Sequence, residues 1–532
     1  MSCSIGRTRS RRPSARSLAA LLAAILVLAT ACSVAQPAPQ QSAQRGPASQ
    51  PLGPDTIQLL HTNDIHGRLE ATTVSTGSSG FEQGGLAALA GWVTQLRTRA
   101  PDRTLLLDGG DSWQGTFTSN SNRGEAVTRA MSLMRYDAMA LGNHDFDWGQ
   151  DIVAQRSREA SFPFLAANLR DASGAIPSYS KPWIVKDLGI TKIGIIGLTN
   201  PRSPSIVKAS SITGLSFLPA TETVRRYLPD VRAQADIVVV LTHIGIDEDT
   251  LLAQEVPEID IIVGGHTHLP LRTARVVGRT KIYQAGAYTE NLGRIEITVD
   301  KTTRRPTNIT GGDVLVPIAS GVVKPDPEVA AIVTQRRAEG AAVTSRVVGR
   351  SAAPLEGIRG TEVPLGNLIA DALLEYGQAQ GWRSDVAFYN QAGVRASLAA
   401  GDITFGALYQ VLPFANTIVQ VDLTGVQLRE VLEGAAGAAG RLHIGGGSFV
   451  YRFSNAPGQR VIESKIAGAP LDDARVYRVV TIDYLHTGGD GHTGFAKGTN
   501  VKVGDVEVDA VAAYIAAHSP VNPQLEGRIV QQ

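Results

Sequence analysis

Five short polar blocks carry the chemistry of this chain: HTNDIHG (His61 to Gly67), GGDS (Gly109 to Ser112), GNHDFD (Gly142 to Asp147), THIG (Thr242 to Gly245) and GGHTH (Gly264 to His268). They supply Asp64, His66, Asp111, Asn143, His243, His266 and His268 as oxygen and imidazole donors. Such a set exceeds what one tetrahedral ion takes and suits two divalent cations a few Å apart. A pair needs a bridging carboxylate, and Asp111 in the GGDS turn is the candidate. The expected sharing is Asp64, His66, Asp111 and His268 for one cation, and Asp111, Asn143, His243 and His266 for the other. Each then keeps open positions for water and substrate, as a catalytic metal does. With no cysteine among the donors, Zn, Mn, Co or Mg is favoured over softer ions. Two such cations lower the pKa of a bound water and stabilise a phosphoryl oxyanion, so phosphoester hydrolysis is the chemistry that follows. His144 adjoins a ligand without being needed as one. It is placed to protonate a leaving oxygen or stabilise phosphoryl charge, with Asp147 three residues on to hold its other ring nitrogen.

Each block ends a short apolar run that reads as a buried strand: Thr56 to Leu60, Thr104 to Asp108, Asp137 to Leu141, Asp236 to Leu241 and Ile259 to Val263. Gly-Asp and Asn-His pairs are ordinary turn formers, so one block alone says little. Five in order, each at a strand carboxyl end, place the donors on the edge where α/β folds bind ligands. His61 lies inside its strand and is expected to be packed or hydrogen-bonded rather than metal-bound. Helical patterns fall at Gly85 to Ala100, Gly124 to Met134 and Ala220 to Ala235. A bridging helix is expected from Pro325 to Val343, opened by Pro325, Asp326 and Pro327. Beyond it come helices at Leu365 to Gly377 and Leu423 to Ala435, and strands at Val386 to Tyr389, near Phe449 and at Val476 to Thr481. The Gly- and Ala-rich stretch Gly434 to Gly447 reads as a loop.

The N-terminus places Arg7, Arg9, Arg11, Arg12 and Arg16 before the apolar run Leu18 to Ala29, the layout of an export signal. Ala29, Thr30 and Ala31 before Cys32 resemble a bacterial lipobox, in which the cysteine becomes a lipidated first residue. Plain secretion is the alternative, since small residues also make an ordinary cleavage site. The only cysteines are Cys3 and Cys32, so no disulfide framework is expected. Removing the five N-terminal arginines leaves 45 basic against 49 acidic residues, a net of −4, which does not suggest a nucleic-acid groove. Residues from Ser33 to Pro54 are rich in Pro, Gln, Ser, Ala and Gly, the composition of a flexible tether. About 480 residues then remain, more than one core usually supports.

The blocks and the second half resemble the bacterial and animal 5′-nucleotidase family, a branch of the calcineurin-like metallophosphoesterases, from Thr56 to about Val530. The C-terminal blocks NQAGVR (Asn390 to Arg395), LPFANT (Leu412 to Thr417) and YLHTGGDG (Tyr484 to Gly491) carry the likeness there. The resemblance implies an α/β chain with a four-layer α/β/β/α metallophosphoesterase sandwich and a second, α+β nucleotide-binding domain. The expected division is 1–31 export signal, 32–54 lipidated cysteine and tether, 55–318 catalytic domain, 319–344 linker helix and 345–532 C-terminal domain. It further implies that Arg395 contacts the substrate phosphate, Asn390 helps to place the nucleoside, Phe414 and Tyr484 clamp the base, and Asp490 accepts from the ribose hydroxyls. Stacking on two aromatic faces and bidentate arginine donors suit those tasks physically. One departure stands out. Val363 and Asn367 occupy positions where the family can carry arginines for the phosphate, leaving Arg359 as the substitute. The family also moves its second domain against the first, with a hinge expected near Val343 to Ser351.

The function expected is a dinuclear-metal phosphohydrolase that removes phosphate from extracytoplasmic nucleotides for nucleoside and phosphate salvage, held to a membrane by a lipid anchor and needing no obligate protein partner. A UDP-sugar pyrophosphohydrolase and a 2′,3′-cyclic-nucleotide phosphodiesterase with 3′-nucleotidase activity share the metal half. A non-catalytic solute-binding lipoprotein is the alternative from another class.

Overall fold

The computed structural model describes residues 50–532 apart from 77–78, 359 and 438. The expected export signal, Cys32, most of the tether and Arg359 therefore lie outside the described residues.

The apolar runs that precede the polar blocks are continuous because both faces of each strand are covered. In the strand Thr56–Thr62, Ile57 and Leu59 enter one buried layer and Leu60 another. In Ile237–Thr242, Ile237, Val239 and Leu241 join the first of these layers, while Val238 and Val240 face a third. The shared layer lies between a seven-stranded and a six-stranded sheet. Helices Leu86–Arg97 and Glu125–Leu133 cover the outer face of the first sheet with Leu89, Trp92 and Val127. Ala220–Arg232 and Ile246–Glu255 cover the second with Val224, Leu228 and Leu252. This is the expected four-layer α/β/β/α sandwich.

Topology decides where the polar blocks meet. Thr56–Thr62, Thr104–Asp108 and Ala138–Ala140 are adjacent and parallel in the seven-stranded sheet. Ile237–Thr242 and Ile261–Val263 are adjacent and parallel in the six-stranded one. Because Thr62 pairs in register with Asp108, the chains leaving those two strands start side by side.

His61 sits opposite Gly293 of the antiparallel strand Asn291–Val299, where a Cβ would lie 1.9 Å from its Nε2. Only glycine leaves room for the imidazole there. Burial lowers the His61 pKa to about 3, and the neutral ring lies 6.3 Å from that of Tyr283 without a hydrogen bond. It is a packed residue.

The bridging helix runs Pro327–Thr344, and Asp326 caps it by accepting the N–H groups of Glu328 and Val329. Beyond it a five-stranded sheet takes the order Leu442–Gly445, Val386–Asn390, Val476–Ile482, Thr417–Thr424, Thr499–Val506. Helices Pro364–Ala379, Gly425–Ala435 and Glu507–Ala517 share its core.

Two expectations need correction. The stretch from Gly434 to Gly447 is not all loop: Leu442–Gly445 is a strand paired antiparallel with Val386–Asn390, and Leu442 and Ile444 are buried in the core. Its surrounding glycines hide the short apolar alternation. The helix expected from Leu423 begins at Gly425, because the preceding strand runs through Thr424. That threonine forms a capping box with Gln427. Among the described residues no helix is long and apolar enough to cross a membrane.

Candidate active site

The loops after the first two strands, Thr56–Thr62 and Thr104–Asp108, are tied together by their own backbones. Asp64 N–H donates to the Gly110 carbonyl at 2.8 Å, His66 N–H to that of Asp111 at 2.9 Å, and Gly67 N–H to that of Ser112 at 3.0 Å. Buried acids lock these turns from below. Asp108 accepts from the Thr62 and Ser112 hydroxyls and from Gly110 N–H. Asp145 accepts the N–H groups of Asp111, Ser112 and Gly142. Sequence reasoning passed over both, although Asp108 ends a strand and Asp145 lies inside GNHDFD.

Asp64, His66, Asp111, His266 and His268 all take positive φ, between 48° and 77°. Non-glycine residues rarely do so, and such local strain clusters where side chains must be aimed rather than merely packed. Here it turns the donors toward one another. Asp64, His66 and His268 form one group and Asp111, His243 and His266 a second, with ligand atoms in each lying within 4.8 Å of one another. Asp111 Oδ2 lies between the groups, 3.9 Å from His66 Nε2 and 3.0 Å from His243 Nε2. Asp64 Oδ1 is 3.3 Å from His268 Nε2 and 3.9 Å from His243 Nε2.

The donors fit cations. The Nδ1 atoms of His66 and His243 lie 2.9 and 2.7 Å from the Gln114 and Gly109 carbonyls, which fixes Nδ1–H and leaves Nε2 as the ligating nitrogen. Asn143 Oδ1 is buried with no hydrogen-bond partner. Burial by itself would raise Asp64 and Asp111, yet His268 holds the first and His243 the second below the usual carboxylate range. Burial by itself would lower His243, but Asp111 and Asp64 bring it up to about 10. Burial and the charge on His243 take His266 down to about 4. A ligating imidazole is neutral, so a cation bound here would have to displace the His243 proton.

Beside this cluster lies a cavity of about 480 Å³ with walls from both halves of the chain. Asn143, His144, Asp147 and His266 meet Arg395, Phe414, Tyr484 and Asp490 across it. His144 donates its backbone N–H to Asp111 Oδ1 at 2.8 Å, and its Nδ1 lies 3.0 Å from Asp147 Oδ2. Arg395 Nη2 comes within 3.3 Å of His66 Nε2, and its guanidinium lies 5.7 Å from the Phe414 ring centre. Asn390 is buried behind Asp490 and donates to its Oδ2 at 2.8 Å. Trp148, Ile206 and Lys208 also line the cavity, and no motif in the sequence announced them; Asn416 lines it too, from the LPFANT block, where the resemblance gives it no role. Val363 is buried, and Asn367 spends its amide on Glu362 and the Gln524 carbonyl, so neither stands in for a phosphate-binding arginine.

Residues 57–270 match the family described as calcineurin-like phosphoesterase, and residues 343–497 match the 5′-nucleotidase C-terminal domain. The chain is 30% identical over 528 residues to the 5′-nucleotidase of Diplobatis ommata, covering 90% of each protein. The solved structure of a 5′-nucleotidase precursor from Thermus thermophilus matches with a TM-score of 0.81 at 30% identity, over 90% of this chain and 99% of that one. The sulfate thiohydrolase SoxB of Thermus thermophilus shares the fold at a TM-score of 0.77 and 22% identity, over 90% and 97% of the two chains. Fold alone therefore does not choose the substrate. Full-length kinship at that identity, over both halves together, does settle ancestry: this chain belongs to the 5′-nucleotidase family and is a metal-dependent phosphoric ester hydrolase with two candidate metal-binding groups.

Proposed function

We propose that the protein is a 5′-nucleotidase acting outside the cytoplasm, where it removes phosphate from nucleotides so that nucleoside and phosphate can be salvaged. One observation carries this reading: a single cavity takes its walls from the metal cluster on one side and from two aromatic rings, an arginine and an aspartate on the other. Asp64, His66, Asp111 and His268 would hold one cation and Asp111, Asn143, His243 and His266 the other, supplying an acidified water and positive charge for phosphoryl oxygens. Arg395 reaches the cluster from the opposite half, where its fork suits phosphate. Phe414 and Tyr484 offer the base two aromatic faces, and Asp490 offers the ribose an acceptor. Asp147 fixes the His144 ring through Nδ1, leaving Nε2 to pass a proton to the departing ribose oxygen.

The division into a catalytic domain at 55–318, a linker helix at 319–344 and a substrate domain at 345–532 belongs to the same reading. So do export by residues 1–31 and a lipid anchor at Cys32. The test is phosphate release by the purified protein from AMP, UDP-glucose, 2′,3′-cyclic AMP and p-nitrophenyl phosphate, with and without chelator. Chelator-sensitive release with AMP preferred is expected. Preference for UDP-glucose or the cyclic nucleotide would move the assignment to a pyrophosphohydrolase or a cyclic phosphodiesterase.

A further inference from the structure

Asp490 has an unusual environment for a surface turn. Its φ is 54°, and its backbone N–H donates to the Tyr484 hydroxyl at 3.2 Å. That hydroxyl in turn donates to Asp490 Oδ1 at 2.8 Å, while Asn390 Nδ2 donates to Oδ2 at 2.8 Å. The Tyr484 ring lies so close over Gly489 that a Cβ there would come within 2.6 Å of it. Ring, hydroxyl, turn and carboxylate thus form one unit, and both Tyr484 and Asp490 line the cavity.

An ionised carboxylate has about four lone-pair sites and no donor. Tyr484 takes one on Oδ1 and Asn390 one on Oδ2, which leaves an acceptor site on each oxygen. Two adjacent hydroxyl donors, a vicinal cis-diol, match what remains. Burial, reinforced by Asp490, raises the Tyr484 pKa, so its phenol stays protonated and remains a donor.

We propose that the Tyr484 hydroxyl is a positioning group that sets the sugar specificity of the site, holding the Asp490 carboxylate so that both its oxygens engage a ribose cis-diol in preference to a deoxyribose. This rests on the reading that nucleotides bind in the cavity with the sugar at Asp490. It goes further in assigning discrimination to a hydroxyl whose ring has a separate task. Loss of the hydroxyl frees the carboxylate to rotate and weakens a two-point contact that 2′-deoxyribose, keeping only its 3′-hydroxyl, cannot make.

The experiment is Tyr484→Phe, which keeps the ring, assayed in the metal-loaded enzyme on AMP and 2′-deoxy-AMP, with Asp490→Ala alongside and unfolding midpoints to confirm folding. The expected result is a loss in kcat/KM on AMP about tenfold greater than on 2′-deoxy-AMP, expressed in KM rather than kcat. Equal losses on both substrates, or none, would overturn the inference, since a hydroxyl that only braces the turn would affect the two alike. If Asp490→Ala erases the ribose preference while Tyr484→Phe preserves it, the inference falls and the ribose reading of Asp490 stands. If neither variant changes the preference, or the native enzyme has none, both fall.

Discussion

Asp145 holds Asp111 by its backbone: one carboxylate oxygen accepts the Asp111 N–H at 3.0 Å and also the Gly142 N–H at 2.8 Å, joining the GGDS turn to the turn that carries Asn143. In Asp145→Asn one of the two acceptors becomes an amide facing backbone donors. Cation affinity should fall about 10- to 100-fold, the usual cost of losing an outer partner of a metal ligand. Titration calorimetry with Mn or Zn would check this. Unchanged affinity in a folded variant would show that the turns hold themselves.

Asp111 and Phe414 should fail differently. Asp111→Ala removes the carboxylate lying between the two ligand groups and is expected to abolish turnover on every substrate. Phe414→Ala should raise KM for AMP about tenfold or more, and by more than it does for p-nitrophenyl phosphate, because stacking serves only the base. Equal losses on the two substrates would remove the case for stacking.

The His144 ring touches Asp147 and its backbone N–H donates to the Asp111 carboxylate, but its side chain is outside both ligand groups. His144→Ala should lower kcat by roughly 10²- to 10⁴-fold, the range for one general acid. Its cation content by elemental analysis should match that of the native protein. Loss of a cation would recast it as a ligand.

Glu507 is buried beneath the loop after Phe414, where Oε1 accepts the Asn416 amide at 3.0 Å. Burial raises its carboxyl from 4.5 to about 8. The folded chain therefore binds this proton more tightly than the unfolded one, and the stability so gained is complete below about pH 4.5 and lost as pH rises through about 8. Glu507→Gln keeps the hydrogen-bonding shape without the titration. Its stability relative to the native protein should rise across that window, by at most about 1.4 kcal/mol per pH unit. Urea midpoints in chelator would measure it, and parallel pH profiles would contradict it.

The donors were legible because each follows a run buried on both faces, which leaves an unbroken apolar stretch before the polar block. Sequence did not reveal that Asp64, Asp111 and Asn143 leave one sheet while His243, His266 and His268 leave the other, since strand pairing is not written in any one segment. Leu442–Gly445 was missed because a Leu-His-Ile alternation set among glycines carries too little periodicity. Asn390 stood out in a motif, yet its amide serves Asp490 from behind. Trp148 and Lys208 line the cavity through the packing of distant loops, for which local spacing holds no signal.

The origin of the donors in two separate sheets has a mechanical consequence. Any cation pair seated there would act as a rivet through the sandwich, joining layers that otherwise adhere through apolar contact and a few hydrogen bonds such as that of His243 Nδ1 to the Gly109 carbonyl. Loading should thus slow the parting of the sheets as well as enable chemistry, so protease resistance should rise with cation occupancy even in a variant stripped of turnover by His144→Ala.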